Sequence, residues 1–181
     1  MAVRTHVLEH FRQIIWYSLD NNLLDNAVFV AERLFALDND DQDSRHLLGL
    51  SMFRAGRIFS SYSMTRGSTH LGCAFVFAQA CKRLEKYSEG LSAIELVARQ
   101  IPQKWSACNH LANNVIDLDD HADNTRNHLP DLGAMLCLAG HLHKGAGDNK
   151  RAMDSYIEAL RTNPYLWEAF DGLIELGKLQ T

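Results

Sequence analysis

Residues 133–164, GAMLCLAGHLHKGAGDNKRAMDSYIEALRTNP, leave this chain few folds to choose from. Leu136, Ala139, Gly140 and His143 recur at helical spacing, and so do Ala152, Tyr156, Ala159 and Leu160, so two amphipathic helices follow one another. Gly140 and Ala152 are small where two antiparallel helices cross at closest approach; overpacking such a point typically costs about 1–3 kcal/mol. Gly147 turns the chain, Asp148 or Asn149 is placed to cap the second helix, and Asn163-Pro164 stops it. Tyr156 and Leu160 are left to fill the space between this hairpin and its neighbours.

Counting backwards from this hairpin finds three more. The first covers about 7–37, with Phe11, Ile14, Ile15 and Ser18, a turn at Asp20-Asn21-Asn22, and a second helix carrying Ala27 at the small crossing position. The second, about 43–66, carries Leu48-Gly49 and the turn Ala55-Gly56-Arg57, and its register lies 34 residues after that of the first. Its second helix is expected to stop at Gly67, with Ser68 the candidate cap of the next helix. The third, about 70–102, follows after 29 residues with Phe77-Ala78, Cys81, Gly90 and a closing Pro102; 62 residues then separate its register from that of the fourth, 133–164. The intervening insertion, 103–130, is polar and rich in Asn, Asp and His, and reads as a long loop with one helical turn near Trp105–Leu111. Trp167, Phe170, Leu173 and Ile174 mark a terminal helix, 165–178, read as the first helix of a fifth repeat at one end of a longer protein.

Tandem helical hairpins of about this length are the pattern of tetratricopeptide repeats. The expected fold is therefore all-α, a tetratricopeptide-repeat right-handed superhelix of helical hairpins, with 1–181 as a single domain. Its register residues are Ala27, Gly49, Gly56, Ala78, Pro102, Gly140, Ala152 and Pro164.

A net charge of −4 and the lack of a Lys/Arg cluster argue against nucleic acid or an anionic membrane as the partner. The start, MAVRTHVLEHFRQ, lacks the features of a signal or transit peptide, and the apolar run 132–140 is too short to span a bilayer, so a soluble intracellular protein is expected. Cys73, Cys81, Cys108 and Cys137 form no C-x-x-C pair and read as reduced, mostly small core residues. His141 and His143 have the wrong spacing to ligate a metal from one helix face, and His143 stands at an aromatic core position. Cys108, His110, Asp117, Asp119, Asp120, His121, Asp123 and His128 of the insertion match no zinc spacing. No nucleophile elbow or phosphate-binding glycine loop is present, so no catalytic residue, cofactor or metal is expected.

The first helix of each hairpin lines the groove of such a fold. In the register above, Glu9, Arg12, Trp16, Leu19 and Asp20 face it from the first hairpin, His46, Leu50, Phe53 and Arg54 from the second, Phe75, Gln79, Lys82 and Arg83 from the third, and Cys137, His141 and Lys144 from the fourth. A groove that clamps a peptide carboxylate needs Lys and Asn here. Trp16, Leu47 and Leu50 stand instead where the Asn and its neighbours belong, which fits a groove filled by a helix; burial of the same side chains by their own neighbours is the structural alternative.

IIWYSLDNNLLDNAVFVAERLFA, HLLGLSMFRAGR, FVFAQACKRLEKYSEG and NPYLWEAFDGLIELG resemble the amino-terminal tetratricopeptide domain of the cell-division-cycle twenty-seven subunits of the anaphase-promoting complex. The likeness covers nearly the whole chain apart from the insertion. It implies a non-catalytic scaffold of a multi-subunit ubiquitin ligase, in nucleus and cytoplasm, partnered by other subunits and by a second copy of itself. With the groove positions it nominates Ile15, Trp16, Leu19, Leu50, Phe53 and Phe75 as the homodimer contact. Another homodimeric tetratricopeptide subunit of the same complex, or an adaptor that binds a peptide or helix of a different protein, are the alternatives.

Overall fold

The computed structural model describes residues 2–100 and 129–178. The insertion other than Leu129 and Pro130, the helical turn expected within it, Pro102, Cys108 and the His and Asp residues of the 108–128 cluster lie outside the described residues. Among the described residues all regular structure is α-helical: α1 Ala2–Asp20, α2 Leu24–Leu37, α3 Gln42–Arg54, α4 Ile58–Thr65, α5 Leu71–Arg83, α6 Tyr87–Gln100, α7 Leu132–Gly145, α8 Asn149–Thr162 and α9 Trp167–Lys178. They fall into two compact units, Met1–Leu84 and Glu85–Thr181. The division lies inside the stretch read from sequence as the third hairpin, between its two helices.

In the first unit α1 packs on α2 and α3 on α4, while α1, α3 and α5 lie side by side as one layer, α2 also meeting α3 and α4 also meeting α5. The turns follow from single residues. Gly56 takes φ +76°, which lets the Arg57 N–H reach the Met52 carbonyl at 2.9 Å and close the end of α3. Asp41 caps α3, its carboxylate accepting from the Ser44 backbone at 2.9 Å and the Ser44 hydroxyl at 2.7 Å, with the Arg12 guanidinium of α1 donating at 3.0 Å. Burial alone would raise the pKa of Asp41, but these donors outweigh it and hold the carboxyl below its usual value.

Gly67 ends the turn after α4 with φ +73°, but Ser68 does not cap α5. His70 does, its Nδ1 accepting from the Cys73 N–H at 3.4 Å while Ser68 Oγ donates to Gln42 Oε1 at 2.9 Å. A histidine cap is poorly legible because only one tautomer leaves Nδ1 free to accept.

The core of this unit joins Leu8, Ile15, Val30, Leu34, Leu47 and Leu48. Gly49 is buried on α3, where an added Cβ would run into the Thr65 side chain of α4; Ala27 and Ala78 are fully buried.

In the second unit α6 packs on α7, α7 on α8, and α9 on α8 and α7. Asp131 caps α7 by accepting from the Ala134 N–H at 2.6 Å, and Asp148 caps α8 by accepting from the Arg151 N–H at 3.1 Å. Gly147 makes the turn between them at φ +83°. Ala152 is fully buried, and exposed Pro164 follows the end of α8. Tyr156, also fully buried, sits between two helices that meet it with glycines: a Cβ on Gly140 of α7 would lie 2.5 Å from its ring, and one on Gly172 of α9 2.6 Å.

Candidate interaction surface

The six residues nominated as the contact separate into two groups. Trp16 and Leu19 of α1, Leu50 and Phe53 of α3 and Phe75 of α5 are half-buried on the layer of inner helices. Trp16 and Leu19 also pack in part on the unit's own core, so some of their apolar area is satisfied internally. Ile15 is different. It is 0% exposed and packs among core residues, which corrects its place in the contact set: on a helix, the residue next to Trp16 is turned about 100° away from it.

At the carboxyl-terminal ends of α3 and α5 this layer carries Arg54 and, beside Lys82, Arg83. Both arginines are exposed, and neither has an ion-pair or hydrogen-bond partner among the described residues. At the other end of α3 the Arg12–Asp41 pair ties α1 to α3 and is occupied structurally.

The polar groups of the second unit are likewise engaged with one another. His141 Nδ1 and the Tyr156 hydroxyl hydrogen-bond at 2.9 Å, His141 Nε2 lies 3.8 Å from Cys137 Sγ, and Lys144 of α7 meets Glu175 of α9. Burial raises the Tyr156 pKa, keeping the phenol protonated, and pushes the Cys73 thiol of the first unit up to about 11, far from a reactive thiolate. Among the described residues no three His, Cys, Asp or Glu side chains are grouped to hold a metal ion, and no helix is long and apolar enough to cross a membrane.

His143 is half-buried, and burial is the main cause of a pKa below its usual value of 6.5, with Asp148 opposing. The folded state therefore binds this proton less readily than the unfolded chain does. Its contribution to stability is complete above pH about 6.5 and is lost as the pH falls below that value through the lower folded-state pKa. An NMR titration of the His143 ring is expected to give a midpoint below 6.5, and His143→Phe to flatten the pH dependence of the urea midpoint in that window.

One surface escaped the sequence reading. Trp167, Phe170 and Ile174 are exposed along α9, with the Trp167 and Phe170 rings 5.4 Å apart. Their i, i+3, i+7 spacing was visible in the sequence. Which of the two apolar stripes of α9 packs inward was not.

The family described as "Anaphase-promoting complex, cyclosome, subunit 3" matches residues 20–97, the stretch from the end of α1 into α6 that holds the α3 and α5 half of the surface. "Anaphase-promoting complex subunit 3" of Schizosaccharomyces pombe is 32% identical over 170 residues, 93% of this chain. This chain is a relative of the subunit 3 proteins. "Protein bimA" of Emericella nidulans is 37% identical over 177 residues, 96% of the chain. The chain spans only 21% of the length of the Emericella protein and 24% of that of the Schizosaccharomyces subunit 3. A solved "Cdc27 N-terminus" superposes with a TM-score of 0.66 over 93% of this chain and 67% of its own, at 14% identity, a likeness of fold.

Proposed function

We propose that the chain is a non-catalytic scaffold module of a subunit 3 protein of the anaphase-promoting complex, and that two copies associate through the layer of α1, α3 and α5. The observation that carries the scaffold reading is the kinship with subunit 3 proteins across more than nine-tenths of the chain. Two copies are favoured over a captured peptide by the residues on the inner helices. Trp16, Leu50, Phe53 and Phe75 stand there half-exposed, and a carboxylate clamp needs Lys and Asn at those positions. Other subunits of the ligase are the remaining partners, and the nucleus and cytoplasm the setting.

A central aromatic anchor carries a large share of such an interface. Trp16→Ala is expected to weaken self-association by about 2 kcal/mol, roughly thirtyfold in Kd. Sedimentation equilibrium measures this, with the urea midpoint of the same variant reporting the part of Trp16 that packs on its own core. A wild-type chain that stays monomeric at tens of micromolar would overturn the two-copy reading and return the peptide adaptor.

A further inference from the structure

Asp20, Arg54 and Arg83 occupy one repeated position with opposite charges. Arg54 lies 34 residues after Asp20 and Arg83 29 residues after Arg54, the same steps that separate the hairpins. Each is the last residue of its helix: Asp20 of α1, Arg54 of α3, Arg83 of α5. Each also stands four residues, one helical turn, after another groove position: Trp16, Leu50 and Gln79.

Packed helices lie about 8–10 Å apart, so side chains at one register on adjacent α3 and α5 reach the same incoming group. A Lys or Arg in the last helical turn is favourable to its own helix. That accounts for either arginine alone, but not for two exposed guanidiniums side by side with no carboxylate partner among the described residues.

We infer that Arg54 and Arg83 receive the Asp20 carboxylate of a second copy of this chain, docked with its α1 running in the same direction as α3. In that alignment Trp16 of the docked α1 lies over Leu50 and Phe53. One turn further on, its Asp20 reaches the two arginines. The two directions of docking are not equivalent, because an antiparallel α1 carries Asp20 away from Arg54 and Arg83 to the other end of α3, where the Asp41 and Asp43 carboxylates already meet Arg12 and His70. Only the parallel direction brings Asp20 to the two arginines, so the charge pattern sets direction as well as contributing attraction. A two-fold dimer makes the contact twice.

Because this contact rests on the two-copy reading, the test separates the two. Self-association of the whole chain is measured by sedimentation equilibrium for wild type, Arg54→Glu/Arg83→Glu, and the triple variant that adds Asp20→Lys. The double variant is expected to raise Kd at least about tenfold at low salt, and the triple variant to recover most of that loss. Wild-type Kd is expected to rise with ionic strength. A double variant that associates like wild type, or a triple variant no better than the double, overturns the contact while leaving the two-copy reading in place. A monomeric wild type overturns both. The three positions are exposed, and matching urea midpoints confirm that each variant is folded.

Discussion

Tyr156→Ala is expected to cost the unit Glu85–Thr181 about 3–5 kcal/mol, the range for removing a large buried aromatic side chain. Tyr156 is the largest fully buried side chain among the described residues. The ring is flanked by Gly140 of α7 and Gly172 of α9, whose missing side chains make the room it fills. Neither helix has a side chain at these points to move into the gap. The His141 ring, edge-on with centroids 5.4 Å apart, loses its aromatic neighbour and a hydrogen-bond partner at once. Tyr156→Phe keeps the packing and removes only the hydroxyl, a loss of about 1 kcal/mol. Urea denaturation checks both: the midpoint falls in that order with the m-value unchanged. A Tyr156→Ala loss no larger than that of Tyr156→Phe would show that α7, α8 and α9 are not held together through this ring.

Gly140, which makes room for Tyr156, is also among the residues that made the fold legible. Gly140 and Ala152 have one physical reason to be small, and Gly147 one reason to be glycine, so the hairpin could be placed before any helix was seen. Its register then located Gly49, Gly56 and Ala78 by counting. Legibility failed where the outcome depends on what lies opposite. Trp167, Phe170 and Ile174 have the spacing of a buried stripe and are exposed, because periodicity marks an apolar face without saying whether anything covers it. The division at Leu84–Glu85 depends on which helices touch most, which no local pattern carries. The cap of α5 went to His70 over Ser68 because its tautomer, not its residue type, decides whether it accepts. For the candidate surface, the residue types of Trp16 and Leu50 argued for a helix in the groove, but only a structure apportions their area between core and surface.

Ile15 shows how much the register already contained, and its truncation is the second large effect. Ile14-Ile15 stand 34 residues before Leu48-Gly49, so Ile15 holds in the first hairpin the crossing position that Gly49 holds in the second and Gly140 in the fourth. That position faces the hairpin's own second helix, which is why Ile15 is 0% exposed beside Val30, Ala31 and Leu34 of α2. The first hairpin is therefore spaced by a branched side chain where the other two use glycine. Ile15→Ala opens a cavity at the crossing, with an expected loss of about 2–5 kcal/mol in the unit Met1–Leu84. Ile15→Leu conserves volume and is expected to cost less than about 1.5 kcal/mol. Trp16→Ala, one residue along, is expected to divide its effect differently: a smaller fall in the urea midpoint and a larger rise in the Kd of self-association. Measuring both quantities on both variants separates core from contact at adjacent positions of one helix. If Ile15→Ala leaves the urea midpoint unchanged and abolishes self-association, α1 is rotated from the orientation described and Ile15 returns to the contact set. If its effect falls on the midpoint, with the Kd of the folded chain unchanged, the first hairpin is held at its crossing by Ile15 and the outward face of α1 begins at Trp16.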